Sequence, residues 1–232
     1  MSSATHPTAA RLAHARFYAI LDTGYTPLDE RWEATCRALL EGQAGLIQLR
    51  AKNESATERR ALLERILPFF KESPIPLIIN DDVELAASYP GLGLHVGQDD
   101  LSVSEARRIL GPDRLLGLST HSPEQTEGAL TQADQLSYFA VGPVFATPTK
   151  PTYTPVGLEL VKTVAAMQPP LPWYCIGGIK QSNLAQVQAA GGERVVVVSE
   201  ILQAPDPAAL IRSYRERLAE QIIFPGIDST RP

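Results

Sequence analysis

Six short stretches of the chain place charge-handling groups where they can act together. In "QLRAK", Gln48, Arg50 and Lys52 stand at alternate positions, and alternate residues of an extended segment share one face. Such a face can reach an anion, or its charges can be met by a structural salt bridge to an acid across the molecule. "NDD" (80–82) and "GQDD" (97–100) each close an apolar run with paired acids. Neighbouring strands lie about 4.8 Å apart, so one carboxylate from each doublet can share an ion. A hard cation held by one or two carboxylates and a substrate phosphate describes Mg2+, and no cysteine cluster or close histidine pair points to zinc. Asp82 and Asp99 have the alternative reading of helix caps or solvated charges. "CIGGI" and "VVVVSEI" offer glycines and a turn before a helix, where bare backbone N–H groups can meet a phosphate. A Gly-Gly pair is also the mark of a plain tight turn. Last comes "GPVFATPTK" (142–150), too rich in Gly, Pro and Thr for a strand or helix, which carries Lys150 directly after the apolar "YFAV".

The elements that must position these groups are legible as short apolar runs. They are "RFYAIL" (16–21), "GLIQLR" (45–50), "PLIIN" (76–80), "LGLHV" (92–96), "RLLGLS" (114–119), "LSYFAV" (136–141), "PWYCIG" (172–177) and "RVVVVS" (194–199). Most are apolar on consecutive positions, the pattern of parallel strands buried on both faces. Segments of helical spacing lie between them, such as "ATERRALLERILPFFK" and "SVSEARRIL", the latter with a Ser/Glu start resembling a capping box. Eight β units alternating with helices in 232 residues predict an α/β fold, a single-domain (β/α)8 TIM barrel. A doubly wound sheet is the competing architecture and ordinarily uses fewer strands. The predicted organisation is a flexible or loosely docked tail over 1–15, a barrel over 16–220 and a second tail over 221–232. His6 and His14 are read as solvated within the first tail. Trp173 and Tyr174 are read as core and outer-face residues of the seventh strand.

In such a barrel, functional side chains sit just after the strands. That rule selects Asp22; Gln48, Arg50 and Lys52; Asn80, Asp81 and Asp82; His95, Gln98, Asp99 and Asp100; Ser119, Thr120 and His121; the segment from Gly142; Gly177 and Gly178; and Ser199 and Glu200. His95 and His121 are read first as packed, hydrogen-bonded rim residues. A cation site, an Arg/Lys cluster and a separate phosphate cradle match transfer onto a nucleophile with diphosphate departing, because cations stabilise charge growing on the leaving oxygen. No nucleophilic side chain with an adjacent base is visible, so no covalent enzyme intermediate is required. The Gly/Pro/Thr-rich segment 142–155 is the predicted lid.

Composition narrows the setting. Apolar residues make up 44% and charged residues 20%, and no run approaches the roughly 18 apolar residues of a membrane span. A net charge of -5 gives no general reason to bind nucleic acid or an anionic membrane. Two cysteines, Cys36 and Cys175, form no disulfide framework, so a cytoplasmic location is expected. The first residues lack the apolar core of a secretory signal.

Taken in order, "QLRAK", "IINDDVELA", "GLHVGQDDL", "LLGLSTHS", "AVGPVFATPTK" and "CIGGI" through "VVVVS" resemble thiamine phosphate synthase from about residue 16 to 215. The resemblance implies a barrel transferase of thiamine biosynthesis. It would couple 4-amino-2-methyl-5-(diphosphooxymethyl)pyrimidine with a (carboxy)hydroxyethylthiazole phosphate, by departure of diphosphate and attack of the thiazole nitrogen on a pyrimidinylmethyl cation. Carried over by position, Gln48, Arg50, Lys52 and Asn80 hold the pyrimidine diphosphate and Asp81 and Asp100 hold Mg2+. Ser119 and Lys150 also contact that substrate, and Arg50, Lys52, Ser119 and Lys150 are the implied catalytic set. Thr147, Pro148, Thr149, Gly178, Val198 and Ser199 line the thiazole phosphate pocket. Small-molecule substrates are the implied partners, and a homo-oligomer is compatible with the reading. Two departures stand out: Ala51 replaces the family's usual Glu in "QLREK", and "SYPGLGLHVG" replaces the usual lead into the fourth strand. Ala51, at an alternate position, should point away from Arg50 and Lys52. A thiazole tautomerase on a related barrel would keep the phosphate cradle without paired acids or a diphosphate clamp. A non-catalytic binder of thiamine phosphate is the third reading.

Overall fold

Eight strands, each short and buried, pair in parallel in chain order, and the eighth closes on the first. They are β1 (Phe17–Asp22), β2 (Leu46–Arg50), β3 (Leu77–Asn80), β4 (Gly93–Val96), β5 (Leu116–Thr120), β6 (Tyr138–Val141), β7 (Trp173–Ile176) and β8 (Val195–Val197). The computed structural model describes residues 6–71, 73–147 and 154–219. Helices α1 (Arg31–Glu41), α2 (Ala56–Phe70), α3 (Val83–Ser88), α4 (Val103–Leu110), α5 (Pro123–Thr131), α6 (Gly157–Ala166) and α7 (Leu184–Ala189) follow the first seven strands in turn. After β8 come a short helix, α8 (Ser199–Leu202), and then α9 (Pro207–Ala219). Among the described residues no helix is long and apolar enough to cross a membrane.

Local sequence explains where the helices start. Ser55 accepts from the Glu58 N–H while the Glu58 carboxylate accepts from the Ser55 N–H, a complete capping box for α2. Ser102 caps α4 through the Glu105 N–H, and its hydroxyl donates to the Glu105 carboxylate at 2.5 Å. Each such cap contributes about 1 kcal/mol.

The period-two geometry of strands divides every apolar run into two cores. Outward residues such as Phe139, Val141, Trp173 and Cys175 join the core beneath the helices, while Tyr18, Ile20, Leu46, Ile78, Tyr138, Tyr174 and Val196 fill the barrel. Three of these inward residues are tyrosines, whose rings meet edge-on at centroid distances of 5.5 to 5.8 Å. Gly117 makes room for them, since a Cβ there would lie 2.2 Å from Tyr138 Cζ and 2.6 Å from His95 Nδ1. Tyr174 therefore points into the barrel and Trp173 toward the helices.

The start of the chain departs from the predicted tail. Pro7–Leu12 form a 3-10 helix across the amino-terminal end of the barrel, and Leu12 is fully buried among the interior residues. His6 is buried rather than solvated. Its N–H donates to the Ala133 carbonyl, its Nδ1 meets Thr8 Oγ1 at 2.8 Å, and Thr8 reaches Ser137 Oγ. Burial, followed by the nearby Arg107 charge, lowers the His6 pKa. His14 is exposed, as expected. Residues 220–232 lie outside the described residues.

Candidate active site

A cleft enclosing about 860 Å³, counting the space open to solvent at its mouth, lies within the circle of strand ends. Of the residues picked out from sequence, Gln48, Arg50, Asn80, Ser119, Thr147, Gly178, Val198 and Ser199 line it, together with His95 and His121. Lys52 and Asp81 stand next to it on the β2–β3 side. Pro148, Thr149 and Lys150, and with them the middle of the lid predicted over 142–155, lie outside the described residues.

The strand register accounts for the cationic wall. Asp22 and Arg50 are register partners at the ends of β1 and β2, and Arg50 donates to Asp22 Oδ2 at 2.5 Å. Asp22, only 2% exposed, also accepts from the Gly24 N–H at 2.8 Å. This carboxylate, identified from sequence only as a rim position, holds the guanidinium in place. Lys52 is paired with Asp81, which also accepts from Asn80 Nδ2 at 2.7 Å. Ala51, between the two cations, is buried in the outer core, as alternation requires.

The acid doublets separate into two roles. Asp82 caps α3 through the Leu85 N–H at 2.9 Å and takes the Arg59 side chain at 2.8 Å, so it is structural. Asp81 is held in the left-handed region at φ 61°, its N–H donating to the His95 carbonyl at 2.9 Å. For a non-glycine residue that conformation costs about 1–2 kcal/mol, and such strain collects at functional sites. Asp100 accepts from the Gly97 N–H at 2.7 Å and faces Asp81. Burial and then the Asp81 carboxylate raise the Asp100 pKa, against the Gly97 N–H and the Lys52 charge. Two mutually repelling carboxylates with hard oxygen donors fit a cation that takes its remaining ligands from a substrate or water. Among the described residues no cluster of three or more His, Cys, Asp or Glu side chains is present to hold a metal unaided.

The floor of the cleft corrects one expectation. Sequence showed no nucleophile beside a base, yet Ser119 Oγ lies 2.9 Å from His95 Nε2. The pairing arises because β4 and β5 bring His95 and Ser119 inward on adjacent strands. His95 is packed and hydrogen-bonded, as its first reading had it, and its Nδ1 meets the Tyr138 hydroxyl at 3.1 Å. A neutral phenol thus backs this imidazole, where a hydrolase triad places a carboxylate. His121 Nδ1 likewise meets the Gly142 carbonyl, at 2.5 Å.

The opposite wall is built from backbone. Beyond β6 the chain passes a cis Gly142–Pro143 bond and stays in register with β7, Val144 N–H donating to Ile176 O and Phe145 N–H to Gly177 O. Gly177 and Gly178 have φ of 99° and 62°, and a Cβ on Gly178 would lie 2.5 Å from the Ala146 carbonyl oxygen. Only glycine fits a backbone that is both left-handed and so closely approached. The Glu200 carboxylate ties this loop to the end of β8, accepting from the Gln181 N–H at 3.1 Å and from the Tyr214 hydroxyl of α9. In barrels of this kind, the loops after the seventh and eighth strands and a short extra helix make a phosphate site; α8 occupies that position.

Comparison with known proteins agrees with this geometry. Residues 17–201 match the family described as thiamine monophosphate synthase. A thiamine-phosphate synthase of Thermus thermophilus is 44% identical over 191 residues, covering 82% of this chain and 90% of that protein. The thiamine-phosphate synthase of Acidothermus cellulolyticus is 40% identical over 210 residues, covering 90% and 98%. Among solved structures, a thiamine phosphate pyrophosphorylase from Pyrococcus furiosus superimposes with a TM-score of 0.77 at 24% identity, covering 93% of this chain and all of that one. That last likeness concerns the fold.

Proposed function

The chain belongs to the thiamine monophosphate synthase family, transferases of thiamine biosynthesis, and on that premise we propose the specific reaction of its cleft. It joins 4-amino-2-methyl-5-(diphosphooxymethyl)pyrimidine to a hydroxyethylthiazole phosphate, giving thiamine phosphate and diphosphate. The observation that carries this reading is the division of the cleft: Arg50, Lys52 and Asn80 with two facing acids on one wall, and the Gly177–Gly178 backbone with Ser199 on the other. One wall suits a diphosphate, the other a monophosphate.

The carbon–oxygen bond to the diphosphate breaks with its electron pair on the leaving oxygen, and the thiazole nitrogen lone pair closes the new bond. Arg50 and Lys52 face the charge that develops as diphosphate leaves. Asp22 orients Arg50 before substrate arrives, so little reorganisation is needed during the reaction. Asp81 and Asp100 would hold Mg2+, which when bound neutralises charge on the diphosphate oxygens. Ser119 and Gln48 face the pyrimidine, while Gly178, Val198 and Ser199, with Thr147, receive the thiazole phosphate. None of these steps requires a covalent bond to the enzyme, even though a serine–histidine pair is present. A cytoplasmic setting suits the two buried thiols, Cys36 and Cys175.

The test is a coupling assay with the purified chain, both substrates and Mg2+. Diphosphate and thiamine phosphate should appear in equal amounts. Absence of coupled product sinks the proposed reaction, and an unchanged rate in excess chelator sinks the role given to Asp81 and Asp100.

A further inference from the structure

A line of hydrogen bonds crosses the barrel interior at the floor of the cleft and joins Gln48 to Ser119. Gln48 Nε2 donates to the Tyr18 hydroxyl at 2.7 Å, and the Tyr18 and Tyr138 hydroxyls meet at 2.9 Å. From there the line continues to His95 Nδ1 and, through Nε2, to Ser119. Gln48, Tyr18, His95 and Ser119 all line the cleft, whereas Tyr138 is fully buried below them.

Such a line has a direction. A hydroxyl has one proton to donate, a neutral imidazole has one, and an amide nitrogen only donates. With the Gln48 N–H as first donor, Tyr18 donates to Tyr138 and Tyr138 donates to Nδ1. The imidazole proton then lies on Nε2 and is given to Ser119. Ser119 accepts that bond, so its own proton is free to point into the cleft, while Gln48 keeps its carbonyl oxygen as an acceptor. Burial, the largest influence on both phenols, pushes their pKa values well above the ordinary range, so the relay hydroxyls keep their protons at working pH.

We propose that Tyr18, Tyr138 and His95 are positioning residues that set Ser119 as a hydrogen-bond donor and Gln48 as an acceptor, making the cleft floor selective for an aminopyrimidine edge. An amino group supplies the donor that Gln48 needs, and a ring nitrogen supplies the acceptor for Ser119. The 4-oxo analogue presents the inverted pattern, a carbonyl beside a ring N–H. This inference rests on placing the pyrimidine diphosphate on this side of the cleft.

Tyr138→Phe tests it, because it removes one oxygen from the middle of the line and keeps the ring packed against Tyr18 and Tyr174. The measurement is kcat/KM for the amino substrate and its 4-oxo analogue in the wild type, Tyr138→Phe, Ser119→Ala and the double variant. The wild type should prefer the amino form by about 100-fold or more, as expected where a site's buried polar groups match one pattern only. In Tyr138→Phe that preference should shrink by about tenfold, and the double variant should be no worse than Ser119→Ala alone, since coupled residues are non-additive. Equal losses for both substrates, additive losses, or a wild-type preference for the oxo form each overturn the relay. If Tyr138→Phe fails to fold by circular dichroism, Tyr18→Phe breaks the same line and carries the same expectations. A wild-type chain that couples neither substrate overturns the functional reading and the relay together; coupling with these ratios unmoved overturns the relay alone.

Discussion

Replacing Asp22 with alanine should weaken both the protein and its hold on the diphosphate. The carboxylate accepts one bond from Arg50 and one from the Gly24 N–H. Its side chain is 3% exposed and that of Arg50 is 15% exposed, so solvent screens the pair little. A hydrogen bond to a charged group contributes about 1.5–3 kcal/mol and a neutral one about 1 kcal/mol. Alanine, which also leaves the guanidinium buried without its counter-charge, should therefore cost about 3–4 kcal/mol. For a domain of this size 1 kcal/mol corresponds to roughly 2–4 °C, so the melting temperature should fall by about 6–16 °C. Asp22→Asn keeps an acceptor for both donors and should lose about half as much. Freed from its partner, Arg50 no longer waits in one orientation, and the KM for the pyrimidine diphosphate should rise about tenfold while the KM for the thiazole phosphate stays within about twofold. Thermal melts by circular dichroism and steady-state kinetics on both variants decide the matter. An alanine variant that melts within about a degree of wild type, or one whose two KM values rise together, refutes the argument that Asp22 acts by holding Arg50.

Two further outcomes follow from the same geometry. Because burial and Asp81 raise the Asp100 pKa, the folded chain binds that proton more tightly than the unfolded chain does, and the ionised pair opposes folding once pH exceeds the raised value. Asp100→Asn should then raise the melting temperature of metal-free protein at pH 7, with the gain shrinking as pH falls toward the carboxylate range, while turnover drops by orders of magnitude. A variant less stable than wild type at pH 7 would show that the two acids do not repel. Gly178→Ala forces a Cβ onto the Ala146 carbonyl at a φ of 62° and should raise the thiazole phosphate KM about tenfold, at a stability cost of about 1–3 kcal/mol; kinetics in which only the pyrimidine diphosphate KM moves would assign that wall to the wrong substrate.

The barrel was legible because parallel strands covered on both faces leave unbroken apolar runs, and all eight runs fall on strands with ends shifted by no more than two residues. The rim was legible because a run such as "LIIN" ends in a polar residue only where the strand leaves the core. The barrel interior was not. In "FYAILD" two adjacent aromatics look equivalent, and only the register reveals that Tyr18 points inward while Phe17 packs against Tyr214 of α9. For that reason the Tyr18–Tyr138–His95 line went unseen, as did the approach of His95 to Ser119. Asp22 stood among the rim positions, but its partner depends on the β1–β2 register. The docking of residues 6–12 was hidden for a different reason: its short Ala-rich run has no clear period, and its contacts are to residues more than a hundred positions away.

That last feature bears on how the chain comes together as it is made. Thr8 bonds to Ser137, 129 residues later, and Arg11 to the Asp113 carbonyl, 102 residues later. Residues 6–12 thus have no complete docking site until the segments leading into the fifth and sixth strands are in place, and loop closure over such a span is slow to be rewarded. Leu12 joins an interior cluster that reaches from Tyr18 to Val196, so this segment is fastened late, when the underside of a nearly finished barrel is ready to receive it.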